Sequence, residues 1–119
     1  MRMTEPTGTL GSEDAKLVTL ARFAQGRFGA SESAAVRDVD GRTYAGVSVD
    51  LPSLQLSALQ VCVAMAVSSG ARGLEAGVVL AKSEEVREQD LSAIRDLAGT
   101  GVPLHRCAPS GALAETLES

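Results

Sequence analysis

The sequence predicts an α/β fold in three layers, with a mixed sheet between helices. Three observations lead to this prediction. Strand-like and helix-like stretches alternate along the chain, an Asp-Gly pair joins two strands, and a later strand is apolar on both faces. The chain has 119 residues, of which 45% are hydrophobic, which suits one domain with a packed core. Its aromatic residues are Phe23, Phe28 and Tyr44, so Ala, Val and Leu must build that core.

The N-terminal part of the chain divides into a tail and a helix. Residues 1–11 are polar and rich in Gly and Thr, and we expect a flexible tail there, followed by a single domain over residues 12–119. A helix is expected over Glu13–Phe28, where Leu and Ala recur at helical spacing. Gly29 follows as its stop.

A β-hairpin is the strongest local prediction. Ser33–Val39 and Thr43–Val49 carry β-branched residues and flank the pair Asp40-Gly41. Because this dipeptide tolerates the positive φ angles of a type I′ turn, we expect that turn to connect the two strands.

A buried helix should follow the hairpin. Pro52 is tolerated in the first turn of a helix, and Leu54–Val67 is apolar nearly all round, so we expect a helix that is buried on most faces. We expect this helix to end at Ser68-Ser69-Gly70.

The C-terminal half predicts two strands and a helix. Leu74–Ala81 reads as a buried central strand, Glu84–Ala98 as an amphipathic helix and Val102–Cys107 as a short strand. The sequence leaves open whether Ala112–Glu118 forms a helix or a strand.

Composition excludes several classes of function. The net charge is −4, and the 11 basic residues form no run, so we expect no nucleic-acid partner. No stretch reaches the ~18 apolar residues of a membrane span, so we expect no membrane association. The N-terminus lacks the apolar segment of a signal peptide. Two cysteines are too few for a disulfide framework, and the simplest expectation is a cytoplasmic protein.

Four stretches carry a family resemblance. They are AKLVTLARFAQ, DGRTYAGVSVD, AVSSGARGLEAGVVLA and the C-terminal VPLHRCAPSGALAETLES. In order and spacing they resemble the small cytidine deaminases. The resemblance implies a cytidine-deaminase-like three-layer α/β/α sandwich with an N-terminal hairpin. It also implies a homo-oligomer, a dimer or tetramer, with the buried helices contributing to subunit contacts.

The family's zinc site is where this sequence departs from the resemblance. In the family, a Cys or His in the buried helix and a P-C-x-x-C pair in the next helix hold zinc, and a Glu two residues after the first ligand carries protons. By position the first ligand falls on Leu59, the Glu on Val61, and the pair on Arg87 and Asp90. Leucine cannot bind zinc and valine cannot carry a proton. We therefore expect no catalytic residues, no metal ligands and no zinc cofactor.

The substrate-binding positions depart as well. The family's Asn and Glu that would hold the ribose hydroxyls fall on Ser48 and Asp50, and the aromatic residue that packs on the pyrimidine falls at about Ala30. Asp50 can still accept a sugar hydroxyl. These two positions, with Leu59, Val61, Arg87 and Asp90, form the expected vestigial pocket, and we expect the apolar pair to fill the vacated space.

An alternative register places the P-C-x-x-C segment on Ala108–Leu113, which resembles S-P-C-G-A-C with its cysteines replaced. This register would leave the Glu84–Ala98 helix as an insertion and delete the last strand, so we reject it. Ser110 and Leu113 would not bind zinc either.

Other chemistry finds little support in the sequence. The remaining soft metal donors are Cys62, His105 and Cys107. His105 and Cys107 share one face of a strand. A metal site would also need Cys62 to lie close to them, and no fourth donor is evident. We expect Cys62 to be a buried apolar residue. A Ser–His–acid triad would depend on His105 alone, without a G-x-S-x-G elbow, and there is no phosphate-binding glycine loop.

Three interpretations of function follow. The favoured one is a catalytically inactive, zinc-free cytidine deaminase homologue with a structural, regulatory or binding role, holding a nucleoside-like ligand near Ser48 and Asp50. The alternative is an active cytidine deaminase, a hydrolase of a C–N bond that converts cytidine to uridine in pyrimidine salvage and needs zinc. The third is a scaffold subunit that packs with a catalytically intact homologue.

Overall fold

A computed structural model describes residues 10–119 of the chain. In this range the helices are α1 (Ser12–Phe28), α2 (Ala58–Ser68) and α3 (Glu88–Ala98). The strands are β1 (Glu32–Asp38), β2 (Thr43–Val47), β3 (Val49–Leu51), β4 (Leu54–Leu56), β5 (Leu74–Ala81), β6 (Pro103–Cys107) and β7 (Leu113–Glu118). Residues 1–9 of the expected tail lie outside the described residues.

A five-stranded mixed sheet in the order β2-β1-β5-β6-β7 forms the middle layer. Only β5 and β6 run parallel, and every other neighbouring pair is antiparallel. Helix α1 packs on one face of this sheet, and α2 and α3 pack on the other. The predicted three-layer fold, with the N-terminal hairpin at one edge of the sheet, is therefore confirmed.

Two cores lie on the two faces of the sheet, and small side chains build both. On β1, Ala34 and Val36 belong to the core under α2 and α3, whereas Ala35 belongs to the core under α1. This alternation is what a strand with two covered faces requires. Leu17 and Ala21 anchor α1 on its face of the sheet.

The central strand and the C-terminal strands follow the prediction closely. Strand β5 spans the predicted residues and lies in the middle of the sheet, and the predicted strand near the C-terminus is β6. The undecided C-terminal segment is a strand, since β7 pairs with β6 from Pro103↔Glu118 to Cys107↔Leu113.

The hairpin is confirmed, but the prediction of its turn was wrong. The backbone N–H of Asp38 donates to the carbonyl of Arg42 (2.8 Å), which leaves a three-residue connection. Gly41 alone has a positive φ there, 89°, whereas a type I′ turn needs two such residues. The Asp38 carboxylate explains the change, because it accepts the N–H groups of Asp40 and Arg42 and so fixes the longer connection.

The predicted start of the buried helix was also wrong. Leu54–Leu56 is a strand that pairs with Val49–Leu51 across Pro52-Ser53, and α2 begins only after Ser57. Ser57 and Gln60 form a reciprocal capping box, which stabilises this later start. Leu54 and Val67 are about half exposed, 50% and 55%, so the Leu54–Val67 segment is less buried than expected.

Helix α3 begins four residues later than predicted, at Glu88. Before it, the Ser83 hydroxyl accepts the N–H of Glu85 and donates to the Glu85 carbonyl, a local turn that competes with helix.

Among residues 10–119, no helix combines the length and apolar composition needed to cross a membrane.

Candidate functional site

The first turns of α2 and α3 meet at one point on their face of the sheet. The Ser57 hydroxyl, at the N-cap of α2, donates to Oδ1 of Asp90 in the first turn of α3 across 2.5 Å. Ser57 is 5% exposed and Asp90 is 2% exposed. The same hydroxyl accepts the backbone N–H of Gln60 at 3.1 Å, so one side chain both caps α2 and joins it to α3.

Glu32, at the start of β1, completes a charged cluster around this point. Its Oε1 accepts the backbone N–H of Ala58 in the first turn of α2 (2.9 Å), where the helix dipole favours a negative charge. Its Oε2 accepts from the Arg87 guanidinium at 2.6 Å. Arg87 also lies 3.9 Å from Oδ2 of Asp90. We call Glu32, Ser57, Arg87 and Asp90 the ion-pair cluster.

Burial affects one carboxyl of this cluster, that of Asp90. It raises the pKa of the Asp90 carboxyl above its ordinary value, while the hydrogen bond from Ser57 and the nearby charge of Arg87 oppose that rise. The carboxyl groups of Glu32 and Asp90 lie 2.6 Å and 3.9 Å from the same guanidinium, so Arg87 is the cation that holds the two groups together.

A cleft of about 400 Å³ opens beside the ion-pair cluster. Val49 and Leu56 contribute apolar walls. The remaining lining side chains are polar: Ser31, Glu32, Ser48, Asp50, Gln55, Ser57, Arg87 and Gln89. Hydroxyl, amide, carboxylate and guanidinium groups offer hydrogen bonds of both kinds, so the arrangement suits a small polar ligand.

The structure brings only some of the predicted pocket residues to this cleft. Ser48, Asp50 and Arg87 line it, with Asp50 exposed and Ser48 half-buried. Asp90 does not line the cleft; it is buried and accepts a hydrogen bond from Ser57, which does line it.

The two apolar positions do not line the cleft. Leu59 is fully buried in the core between the sheet and α2. Val61 points at β2, where its Cγ1 lies 2.9 Å from the place that a Cβ on Gly46 would occupy. Both side chains therefore pack against the protein itself and not against a ligand in the cleft.

The residues that the family resemblance assigns to the zinc positions do not fit zinc. Leu59 and Val61 have no donor atom, and the guanidinium of Arg87 is a permanent cation that would repel a metal ion. The one oxygen donor, Asp90, is already hydrogen-bonded to Ser57. Across residues 10–119, no three side chains of His, Cys, Asp or Glu group together in a way that could hold a metal ion.

The other set of soft donors is split by the sheet. Cys107 belongs to the core under α1, and His105 on the same strand faces α1 through its contact with Asp14. Cys62 belongs to the core under α2 on the opposite face. Burial raises the pKa of the Cys62 thiol to about 12 and that of Cys107 to about 11, so both are protonated thiols at neutral pH.

His105 instead takes part in a polar network beneath α1. Its Nε2 lies 2.8 Å from Asp14 and its Nδ1 lies 2.8 Å from the Thr116 hydroxyl. Arg37 donates to Asp14 (2.9 Å) and to Glu75 (2.8 Å). Burial raises the pKa of Asp14, but the hydrogen bonds from His105 and Arg37 outweigh burial and hold that pKa below its ordinary value.

This network ties α1 to the sheet. It lies on the opposite face from the cleft and is not part of the candidate site. No local sequence pattern could reveal it, because Asp14 and His105 are 91 residues apart.

Sequence reasoning missed Glu32 and Ser57, although both are central to the site. A signal for Ser57 was present, since Ser57 followed three residues later by Gln60 is the pattern of a capping box. Glu32 had no comparable signal, because its partner Arg87 is 55 residues away.

Solved structures with a similar fold are cytidine deaminases. That of Mycobacterium leprae matches with a TM-score of 0.68 and 19% identity, over 90% of this chain and 94% of its own. That of Burkholderia pseudomallei matches with a TM-score of 0.71 and 16% identity, over 87% and 89%. That of Mycobacterium tuberculosis matches with a TM-score of 0.67 and 21% identity, over 79% and 85%. At these identities the likeness establishes the fold.

Comparison with curated protein sequences gives no significant match. The family model described as "Cytidine deaminase-like" matches residues 10–111, which is most of the chain. The chain therefore belongs to the cytidine deaminase-like family, as its sequence motifs indicated.

Proposed function

We propose that this protein is a zinc-free member of its family, which does not deaminate cytidine and uses its cleft for binding. The observation that carries the proposal is the set of side chains at the zinc and proton-transfer positions, Leu59, Val61, Arg87 and Asp90. Activation of water for attack on a pyrimidine ring needs a Lewis-acidic metal and a proton carrier, and the first three of these side chains supply neither.

The ion-pair cluster supports this proposal, because it gives these positions a different task. Arg87 bridges Glu32 and Asp90, and Ser57 joins Asp90 to α2. Together they connect β1, α2 and α3, a connection that a metal ion held between the two helices would otherwise provide. The protein then keeps its fold without a cofactor, and the cleft above the cluster stays open to a ligand.

The proposed ligand is small, polar and nucleoside-like, held from the side of Ser48 and Asp50. A carboxylate such as Asp50 can accept hydrogen bonds from two neighbouring hydroxyl groups, as a sugar presents. The described residues lining the cleft include no aromatic side chain on which a base could stack, so affinity should be modest. We further propose that the protein acts in the cytoplasm as a homo-oligomer.

Two measurements on one sample test the proposal. Elemental analysis of untagged protein, purified without chelator, gives the zinc content, and a cytidine-to-uridine assay with added zinc gives the turnover. The Mycobacterium tuberculosis cytidine deaminase serves as the positive control. We expect substoichiometric zinc and no turnover; stoichiometric zinc with turnover contradicts the proposal.

Binding is measured separately, by calorimetric titration with cytidine and with uridine. We expect weak binding that Asp50→Asn reduces and that Asp96→Asn, an exposed change on α3, leaves unchanged. Equal binding by both variants, or none by the wild type, removes the nucleoside-like ligand from the proposal but leaves the zinc result standing.

A further inference from the structure

A hydroxyl, an imidazole and a carboxylate form a continuous hydrogen-bonded chain on the face of the sheet that α1 covers. The Thr116 hydroxyl lies 2.8 Å from Nδ1 of His105, and Nε2 of His105 lies 2.8 Å from Oδ2 of Asp14. A nucleophile beside a base, with the base held by a third group, is the geometry of a hydrolytic triad, whatever the order of its members along the chain. Sequence reasoning left His105 without such partners, because they lie on β7 and in the first turn of α1.

The charge of Asp14 determines the direction of these hydrogen bonds. Burial raises the pKa of Asp14, but the hydrogen bonds from His105 and Arg37 outweigh burial and hold that pKa below its ordinary value, so Asp14 is ionised at neutral pH. An ionised carboxylate only accepts hydrogen bonds, so Nε2 of a neutral His105 carries the proton. Its Nδ1 is then an acceptor, and the Thr116 hydroxyl donates to it, as a nucleophile does to its general base.

The imidazolium that forms when His105 takes a proton faces a net negative charge. Arg37 donates to Asp14 (2.9 Å) and to Glu75 (2.8 Å), so a single guanidinium is shared by two carboxylates. Opposite charges attract more strongly away from water, and His105 is only 6% exposed. The network that ties α1 to the sheet is therefore also suited to receive a proton from Thr116.

Thr116 is open to a reagent although its base is buried. It is an exposed residue of β7. Among residues 10–119, β7 is the last strand of the sheet and pairs with β6 alone. A small molecule can therefore approach the Thr116 side chain from the edge of the sheet.

The backbone of Thr116 supplies a donor for a developing oxyanion. The N–H of Ser119 donates to the carbonyl of Val102 (3.0 Å), which makes their position in the β6–β7 ladder a hydrogen-bonded one. Such positions alternate along an antiparallel ladder, so the His105↔Thr116 pair, three positions further on, is non-hydrogen-bonded. The N–H of Thr116 then points away from β6, to the open edge. In serine hydrolases the N–H of the nucleophile is one of two oxyanion donors.

We propose that Thr116 is a nucleophile that accepts acyl groups from small activated esters, with His105 as its general base. Thr116 Oγ bonds to the carbonyl carbon of the ester, and His105 takes the hydroxyl proton and passes it to the departing alkoxide as the C–O bond breaks. Water then adds to the threonine ester, and the acid is released as His105 returns a proton to Oγ. Asp14 holds the imidazole in the required tautomer.

The site sets the class of ester that should react. One backbone N–H and an open strand edge give the acyl donor little binding energy, so a good leaving group is needed. The site lies on the opposite face of the sheet from the cleft. It is therefore independent of the proposed function, and neither result decides the other.

Brief reaction of the full chain with 4-nitrophenyl acetate tests the proposal. After an acid quench, peptide mass spectrometry measures the acetylation of each hydroxyl side chain. Thr19 is the internal reference, because it is an exposed threonine whose hydroxyl donates to the carbonyl of Ala15 and has no base. We expect Thr116 to be acetylated about 100-fold faster than Thr19, the low end of the effect of a positioned general base.

Two variants identify the base. His105→Gln keeps a polar side chain without a general base, and should reduce acetylation of Thr116 to the rate of Thr19. Val18→Ala removes packing of α1 on the sheet without touching the triad, so it is the matched control and should leave acetylation of Thr116 unchanged. Circular dichroism confirms that each variant is folded.

The comparison of Thr116 with Thr19 within the wild type needs no variant, so it decides even if His105→Gln fails to fold. Equal acetylation of the two threonines overturns the proposal. Fast acetylation of Thr116 that persists in folded His105→Gln overturns it as well, because the hydroxyl then reacts without the proposed base.

Discussion

Ser57 and Asp90 are joined by a buried 2.5 Å hydrogen bond that links the N-termini of α2 and α3. Since Ser57 also caps α2, its removal should have two costs. Ser57→Ala loses the cap, worth about 1 kcal/mol, and leaves the buried Asp90 carboxyl without its partner, worth about 1–3 kcal/mol. We expect the free energy of unfolding to fall by about 2–4 kcal/mol in urea denaturation.

The matched control for this prediction is Ser53→Ala, in the exposed turn between β3 and β4. It should change the free energy of unfolding by less than about 0.5 kcal/mol. If Ser57→Ala is as mild as this control, the link between the two helices contributes little to the fold.

The assignment of the zinc positions predicts that a site can be rebuilt. Leu59→Cys, Arg87→Cys and Asp90→Cys together should create three thiolate ligands, since the first turns of α2 and α3 are already in contact. We expect one zinc per chain by elemental analysis, a thiolate-to-cobalt absorption band with Co²⁺, and a rise in melting temperature when metal is added.

In the control for the rebuilt site, Leu54→Cys replaces Leu59→Cys. Leu54 is exposed on β4, so that variant keeps three cysteines in the chain but lacks the third ligand. Equal metal binding by the two variants would show that the position of Leu59 has been wrongly assigned. Val61→Glu alone, in the native chain, should bring no deamination, because the ligands are absent.

Gly46 and Val61 predict a coupled pair of substitutions. A Cβ on Gly46 would lie 2.9 Å from Cγ1 of Val61, so Gly46→Ala should destabilise the protein by about 1–3 kcal/mol. Val61→Ala removes the obstructing methyl groups, and the double variant should recover part of that loss. A double-mutant cycle of unfolding free energies measures the coupling.

Gly26→Ala is the contrasting change, because a Cβ on Gly26, in the last turn of α1, would meet nothing within 4 Å. It should stabilise the protein, by about 0.4–1 kcal/mol. Additive effects of Gly46→Ala and Val61→Ala would mean that β2 can move away from α2 without cost.

Asp38 predicts a stability that depends on acid pH. Burial raises the pKa of this carboxyl, but hydrogen bonds from Tyr44, Arg42 and Asp40 outweigh burial and lower it below the ordinary 3.8. A carboxyl whose pKa is lowered by folding stabilises the folded state above pH 3.8 and loses that effect as the pH falls through the folded-state pKa.

Asp38→Asn should therefore lower the melting temperature at pH 7, and the gap to the wild type should narrow below pH 3.8. Thermal unfolding of both proteins between pH 2 and pH 7 measures this difference in melting temperature. Asp96→Asn, an exposed change, should show no such narrowing, and a gap for Asp38→Asn that is constant with pH would contradict the argument.

Much of the fold was readable from the sequence, because local patterns determine it. The observed elements match three local patterns: the apolar run of β5, the glycine at the hairpin turn, and the spacing of Leu17 and Ala21 on α1. The β3–β4 hairpin was not predicted, because Leu54 and Leu56 fit a helix and a strand equally well. In the structure the capping box at Ser57 starts the helix after these residues, which leaves them in a strand.

The candidate site was less readable, because its contacts span the chain. The sequence placed Ser48, Asp50 and Arg87 in a pocket, and these residues do line one cleft. No local sequence pattern predicted that Glu32 would contact both Arg87 and the first turn of α2, because those contacts form only once β1 lies beside both helices. Periodicity predicts which face of an element is buried, but not which distant charge will meet it.

The two buried thiols on opposite faces of the sheet have a practical consequence. Because only the thiolate reacts, Cys62 and Cys107 should be inert towards alkylating reagents while the protein is folded. Each becomes reactive only when its own layer separates from the sheet. Alkylation rates of the two cysteines, compared in one experiment, thus measure separately how often α2 and α1 leave the sheet, with no engineered cysteine needed.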